Sequence, residues 1–320
     1  MPRPIVLIAL VVAVLSISSS ALLVQYADAP AVSIAWWRTT GGAVILGGYT
    51  LIRRRLSAPN STTTPPTAPR GTNWPRIRLL LVAGVALGIH FSVWLASLEM
   101  TSVAASVTLV TTTPLMIAAF MGFVGAPPRR RTWIAIGLAL AGTVIISGAD
   151  ASVGGKVLAG DMLALMGAVM MAVYLIAGER LRSSMPTSVY AGAAYAIAAL
   201  TLTPVIIGFD LALFGYDSTT WLAIGAMIIG PQLAGHTVLN LLLKELGPVT
   251  VALALPAEPV GAGLLVAIFL GQFPPLAAVV GAPLVIGGVI IHLRGAQMGS
   301  PSDRTVSLSD LSTDGEHTVA

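Results

Sequence analysis

The feature that most constrains this chain is a series of apolar stretches, each long enough to cross a bilayer as a helix. A spanning helix needs about 20 mostly apolar residues, because an α-helix rises about 1.5 Å per residue. The sequence therefore predicts an all-α membrane protein with ten transmembrane helices. The ten stretches are 4–25, 30–53, 76–98, 102–124, 131–149, 159–178, 187–208, 218–243, 249–270 and 274–294.

The overall composition agrees with a membrane protein. Hydrophobic residues make up 56% of the 320 residues, charged residues only 9%, and the mean hydropathy is +0.89. A soluble fold could not hide so much apolar surface, because a large part of any globular surface faces water. This composition excludes an ordinary cytosolic enzyme, a disordered chain and a nucleic-acid-binding module. The first stretch also has the size of a signal peptide, but nine further spans follow it.

Two segments lack the apolar pattern. The segment 57–75 is rich in Ser, Thr and Pro, a composition typical of disordered loops. The segment 295–320 is polar and has no apolar periodicity. We therefore expect a disordered loop at 57–75 and a disordered tail at 295–320, both cytoplasmic.

The distribution of basic residues predicts the orientation of the chain. Cytoplasmic loops of membrane proteins carry an excess of Lys and Arg. Fifteen of the 17 basic residues fall in segments on the side of the N-terminus, while Lys156 lies in an opposite loop and Arg38 within a span. Both termini are therefore predicted to be cytoplasmic, in a multi-pass protein of the plasma (cell inner) membrane. The basic pI of about 9.8 reflects this topology and does not indicate a nucleic-acid partner.

The chain also shows signs of an internal repeat. Residues separated by 145 or 146 positions match in three places, within similar apolar surroundings. We infer two halves of five helices, 1–150 and 157–294, and because five is odd the second half enters the membrane inverted. Inverted repeats are typical of alternating-access transporters. The matching pairs are Pro114 and Pro259, Gly142 and Gly287, and His90 and His236.

Several motifs in this order resemble the drug/metabolite transporter superfamily, and specifically a ten-helix member built from two EamA-type repeats. The resemblance implies a gradient-driven secondary transporter that moves a small organic metabolite or drug-like solute, more often outward. It also implies a central cavity lined mainly by the first, third, fourth, sixth, eighth and ninth of the ten predicted helices. The motifs are SSS at 18–20, AWWR at 35–38, GIHFSVW at 88–94, TSVAAS at 101–106, TTTP at 111–114, GD at 160–161, PQLAGHTVLN at 231–240 and EPVG at 258–261.

Glu258 and Arg38 are the strongest candidates for functional residues, since an ionisable group deep in a span usually faces a cavity or a partner. Glu258 lies about 13 Å along its helix, near the middle of the bilayer. Pro256 and Pro259 flank it and free backbone carbonyls, which suits a proton, a cation or an amine-bearing substrate. Arg38 suits a substrate carboxylate. The alternatives are a structural ion pair between the two, or snorkelling of Arg38 towards the membrane surface.

The remaining candidates are polar or aromatic residues within spans. Gln232, His236 and Asn240 recur at i, i+4 and i+8, and this stripe either lines a cavity or forms hydrogen bonds between helices. His90 and Trp94 share a face in the third stretch. Weaker candidates, for which packing is the alternative, are Ser19, Thr112, Thr113 and Tyr174. The prolines expected to interrupt helices are Pro114, Pro231, Pro256 and Pro259.

The sequence contains no motif for other classes of chemistry. It has no cysteine, its four histidines are scattered, and no nucleotide-binding or hydrolase motif is present. We therefore expect no enzyme activity, no cofactor, no metal site and no nucleic-acid partner. The expected partners are a small-molecule substrate, H+ or another coupling ion, and the lipid bilayer, for a monomer or a homodimer. The alternatives are a non-coupled facilitator or an importer of the same solutes, and more remotely an intramembrane enzyme or sensor.

The charge asymmetry predicts the outcome of a topology experiment. Reporter fusions after Leu56, after Arg131 and at the C-terminus should report the cytoplasm, because the flanking segments carry the basic residues. Fusions near Ser152 and Tyr216 should report the opposite side. An extracellular C-terminus would contradict the ten-span prediction.

Overall fold

The computed structural model describes residues 2–56, 74–147, 154–271 and 276–297. Most of the predicted loop 57–75 and of the predicted tail 295–320 lies outside these residues, and the tail prediction is wrong at its start because the helix Leu276–Gln297 continues into it. The loop prediction is wrong at its end, because α3 already begins at Trp74 and has Pro75 in its first turn. Proline is favoured at this position, since its fixed φ suits a helix and the missing N–H would have no partner there.

The described residues form helices and contain no strand. A π-helical segment, Ile228–Thr237, separates α9 from α10, and a 3-10 turn, Leu255–Ala257, separates α10 from α11. The helices are α1 (Arg3–Val24), α2 (Ala31–Leu56), α3 (Trp74–Leu98), α4 (Val103–Val110), α5 (Thr113–Phe123), α6 (Arg130–Ser147), α7 (Gly155–Arg182), α8 (Thr187–Gly208), α9 (Ser218–Met227), α10 (Val238–Ala254), α11 (Glu258–Leu270) and α12 (Leu276–Gln297).

Every apolar stretch in the sequence overlaps one or more of these helices. Six helical runs within the described ranges are long and apolar enough to cross a membrane, so the chain is a multi-pass membrane protein. The total of ten spans, the orientation and the boundaries of the two halves stay predictions. The six runs are Arg3–Val24, Trp74–Leu98, Ala105–Phe123, Gly155–Arg182, Thr187–Gly208 and Ser218–Phe269.

Local chemistry sets several helix ends. Ser102 accepts a hydrogen bond from the Ala105 N–H at the start of α4, and Asp217 accepts one of 2.8 Å from the Thr220 N–H at the start of α9. The hydrogen bonds from Thr220 lower the pKa of the Asp217 carboxyl. Gly247 has a φ of 74° and precedes Pro248, so α10 changes direction where the apolar stretches 218–243 and 249–270 meet.

The principal packing contacts join helices from the first half of the chain to helices from the second. α6 packs on α12, α3 on α7 and α8, and α2 on α8, while α1 lies against the π-helical segment and α11. Glycines allow the closest approaches: a Cβ on Gly142 of α6 would lie 2.6 Å from the carbonyl oxygen of Gly281 of α12. Small residues at such contacts are typical of membrane helices, because they let backbones pack together.

The contact between α6 and α12 yields a stability prediction. Gly142→Ala places a methyl group against the Gly281 backbone and should lower the free energy of unfolding by about 1–3 kcal/mol, the usual cost of overpacking. The measurement is the thermal unfolding midpoint of the purified protein in detergent. Gly137→Ala, in the same helix but with no atom within 4 Å of the new Cβ, is the matched control and should leave the midpoint unchanged or raised. Equal midpoints for the two variants would contradict the close contact.

Candidate substrate site

A small cavity lies where the interrupted helices meet. Its volume is about 40 Å³, and its walls come from α1, α2, α3, the α4–α5 region, α7, the π-helical segment and the start of α11. A cavity of this size holds a few water molecules, whereas pockets for drug-sized ligands measure about 300–1,000 Å³. In this conformation the cavity is therefore too small for a drug-sized solute.

Prolines occur at each helix interruption around the cavity. α4 ends at Val110 and α5 begins at Thr113, with Pro114 in its first turn. Pro231 lies within the π-helical segment, and Pro256 lies within the 3-10 turn. Pro259 follows Glu258 in the first turn of α11. This arrangement places Glu258 at the first residue of a helix inside the protein, where the helix dipole favours a negative charge.

Arg38 is buried in the cavity wall with few direct partners. Its side chain is 2% exposed, one terminal nitrogen, Nη1, donates a 3.1 Å hydrogen bond to Ser20 Oγ, and the guanidinium carbon lies 5.0 Å from the centre of the Phe91 ring. Its Nε atom has no hydrogen-bond partner among the described residues. Glu258 lines the same cavity and interacts with Arg38 electrostatically. The two charges therefore face a shared space.

Two histidines and two aromatic rings form another part of the wall. His90 donates from Nδ1 to the Gly167 carbonyl over 2.9 Å, which leaves its other ring nitrogen as an acceptor, and its ring stacks on Trp94 at 6.1 Å. The His236 ring contacts the edge of Phe91, with 5.5 Å between centroids. Trp94 lines the cavity and its indole N–H has no hydrogen-bond partner among the described atoms. The wall thus combines stacking surfaces with a free donor.

The three residues of the stripe, Gln232, His236 and Asn240, do not all line the cavity. Only His236 lines the cavity. Gln232 is fully buried with both amide atoms unpartnered in the described structure, and Asn240 donates to the hydroxyl of Tyr174. Gln232 and His236 lie in the π-helical segment and Asn240 in α10, and the packing of the neighbouring helices decides which of the three side chains lines the cavity.

The weaker candidates also differ in whether they line the cavity. Thr113 lines the cavity, and its hydroxyl donates to the Val110 carbonyl over 2.8 Å. Thr112 and Ser19 lie outside the lining, and each donates to the carbonyl three residues earlier, at Leu109 in α4 and at Ser16 in α1. Tyr174 is buried against Asn240. Their roles as ligands stay predictions, and only Thr113 lines this cavity.

Sequence reasoning missed several residues of the wall. Ser20 binds Arg38, and Ser18 Oγ donates to the Glu258 backbone carbonyl over 2.9 Å, which ties α1 to α11. Both belong to the triple serine of α1, a signal that could have pointed to them. Phe91 and Met171 are apolar, so a search for polar residues in spans does not detect them. Within the described ranges no group of three or more His, Asp or Glu side chains could hold a metal ion.

The surroundings of Arg38 predict different effects of removing each charge. Arg38→Gln loses the bond to Ser20 and the contact with Phe91 and leaves Glu258 without its cation, so the free energy of unfolding should fall by about 1–3 kcal/mol. Glu258→Gln should cost less, because Arg38 keeps Ser20 and Phe91. Unfolding midpoints in detergent measure both, with exposed Arg180→Gln as the control. A larger loss for Glu258→Gln than for Arg38→Gln would overturn this ranking.

Comparisons with known proteins identify the family. The EamA-like transporter family matches the chain twice, over residues 4–148 and 158–294. Among 29 matching chains of solved structures, a crystal structure described only as that of a protein has a TM-score of 0.73 and 24% identity, and covers 93% of this chain and 100% of its own. No curated protein sequence matches significantly. The chain therefore belongs to the EamA-like transporter family, a group of membrane transporters within the drug/metabolite transporter superfamily.

Proposed function

We propose that this protein is a secondary transporter that carries a small organic solute outward across the plasma membrane by alternating access. One observation carries the proposal: Arg38 and Glu258 line one small cavity at the place where several helices are interrupted. Ionisable groups inside a membrane protein are expensive, and interrupted helices at membrane depth are tolerated where they line a cavity. Family membership supports transport as the use of this cavity.

The proposed arrangement in the membrane has ten spans, both termini in the cytoplasm and inverted halves at 1–150 and 157–294. Its support is the overlap of the apolar stretches with the helices, the two family matches and the one-sided basic residues. The packing of α6 on α12, α3 on α7 and α2 on α8 supports it further, since it joins one half to the other. A substrate site between two such halves can open to either side in turn.

Glu258 is the proposed site for H+ or another coupling ion, or for a cationic group of the substrate. In its charged form the carboxylate attracts Arg38 across the cavity, and neutralising it removes that attraction. Arg38 is then available for an acidic group of the solute, to which its unpartnered Nε and the Trp94 indole N–H offer donors. The charge on Glu258 would therefore be linked to whether the cavity closes or accepts substrate.

The experiment that tests the proposal begins with the solute. Metabolite profiles of cells with and without the protein should differ in a small organic compound, which is then loaded into liposomes containing the purified chain. We expect flux driven by an ion or solute gradient without any nucleotide. Glu258→Gln should reduce gradient-driven flux at least tenfold while exchange of solute across the membrane persists, because the variant cannot change its charge.

Glu99→Gln, which removes an exposed carboxylate beyond the end of α3, is the matched control and should transport like the wild type. Flux that ignores every ion gradient would identify a facilitator, and accumulation into cells would identify an importer. Strict dependence on ATP, or covalent change of the solute, would refute the proposal. Wild-type flux with unchanged pH dependence in Glu258→Gln would leave this residue a packing role only.

A further inference from the structure

A second pocket lies away from the central cavity, at the helix ends that the basic residues predict to be cytoplasmic. Its volume is about 310 Å³, and it opens between the end of α7, the turn before α8 and the side of α10. Six residues line it: Arg182, Ser183, Ser184, Met185, Pro186 and Lys244. The site has the size of a polar headgroup, and its two ionisable side chains are both cationic.

Arg182 is held in a fixed position at the base of this pocket. The residue is only 6% exposed, its Nε donates to the Asn240 carbonyl over 3.0 Å, and one terminal nitrogen donates to the Met185 carbonyl. A guanidinium carries five N–H donors, so these two bonds leave donors for a ligand. Because the backbone already orients the group, little side-chain entropy is lost when a ligand binds.

The other charges around the pocket favour an anion. Lys244 is exposed and contributes a second cation from α10, four residues beyond Asn240. The carboxylates of Glu179 and Glu245 are near in sequence but do not belong to the lining. α8 begins at Thr187 beside the pocket, without a side-chain cap, and the partial positive charge of a helix N-terminus adds to the attraction for an anion.

We propose that Arg182 and Lys244 form a binding site for a phosphate group, carried either by an anionic lipid headgroup or by a soluble anion. A planar guanidinium matches the geometry of phosphate oxygens, and basic pockets between helices at the membrane surface suit phosphorylated headgroups. The serine hydroxyls donate to carbonyls of their own turn, so the two cations supply the available donors. This inference does not depend on the transported solute.

The site is connected to the buried polar contacts between α7 and α10. Arg182 binds the backbone carbonyl of Asn240, and the side chain of Asn240 donates to Tyr174 in the middle of α7. A phosphate on Arg182 therefore stabilises the end of α7 against α10. Loss of the phosphate leaves this contact to one hydrogen bond from Arg182 to Asn240 and one from Asn240 to Tyr174.

The absence of cysteine from the chain allows a direct binding experiment. Ser184→Cys places a single thiol in the pocket, and its rate of reaction with a maleimide is measured on the full chain in neutral detergent. Phosphatidylglycerol, phosphatidylcholine, inorganic phosphate and chloride are added in turn at constant ionic strength, since screening alters any charge effect. We expect phosphatidylglycerol or inorganic phosphate to slow the reaction at least threefold, and phosphatidylcholine and chloride to leave it unchanged.

Protection by phosphatidylglycerol alone identifies a lipid site, and protection by inorganic phosphate identifies a site for soluble anions. Ser218→Cys, an exposed position at the start of α9, is the control for the thiol and should react at a constant rate. In the Ser184→Cys background, Lys244→Gln should weaken the protecting affinity about fivefold, whereas Arg180→Gln, outside the lining, should weaken it less. Unprotected labelling in every mixture, or equal effects of Lys244→Gln and Arg180→Gln, would overturn the proposal.

Discussion

The structure depends on the requirement that backbone polar groups inside a bilayer find partners within the protein. Most of the described chain meets this requirement with uninterrupted helices. The exceptions are the break between α4 and α5, the π-helical segment and the 3-10 turn before Glu258, and all three contribute to the wall of one cavity. Ser18 donates to the Glu258 carbonyl from a different helix and so ties α1 to the start of α11.

A charged side chain inside the bilayer also needs polar partners within the protein, and Arg38 is the example in this structure. Burying an unpaired charge costs far more than one hydrogen bond returns. Arg38 is stabilised by three modest contributions: the Ser20 hydroxyl, the face of the Phe91 ring and the charge of Glu258 on the other side of the cavity. None of these is a tight bidentate pair. The surroundings therefore stabilise the charge of Arg38 without occupying all of its N–H donors. This suits a side chain that exchanges partners.

The helical class, the positions of most helices and the placement of Arg38 and Glu258 beside a cavity could be predicted from the sequence. The length of an apolar stretch predicts a helix, and a proline within it predicts an interruption. An ionisable residue in an apolar stretch must have a polar environment. That only His236 of the stripe lines the cavity could not be predicted, because it depends on how the neighbouring helices pack and not on spacing along the chain. Phe91 was also beyond prediction, since nothing local distinguishes it from an aromatic residue facing lipid.

The close contact between α6 and α12 has a consequence for how the protein is made. α12 is the final described helix in chain order, so it leaves the ribosome long after α6 has entered the bilayer. During that interval Gly142 lacks its contact with the backbone at Gly281, which has not yet been synthesised. The packing of α6 on α12 therefore forms only after most of the second half has been made. Until then, the glycine face of α6 is covered by lipid or by other helices.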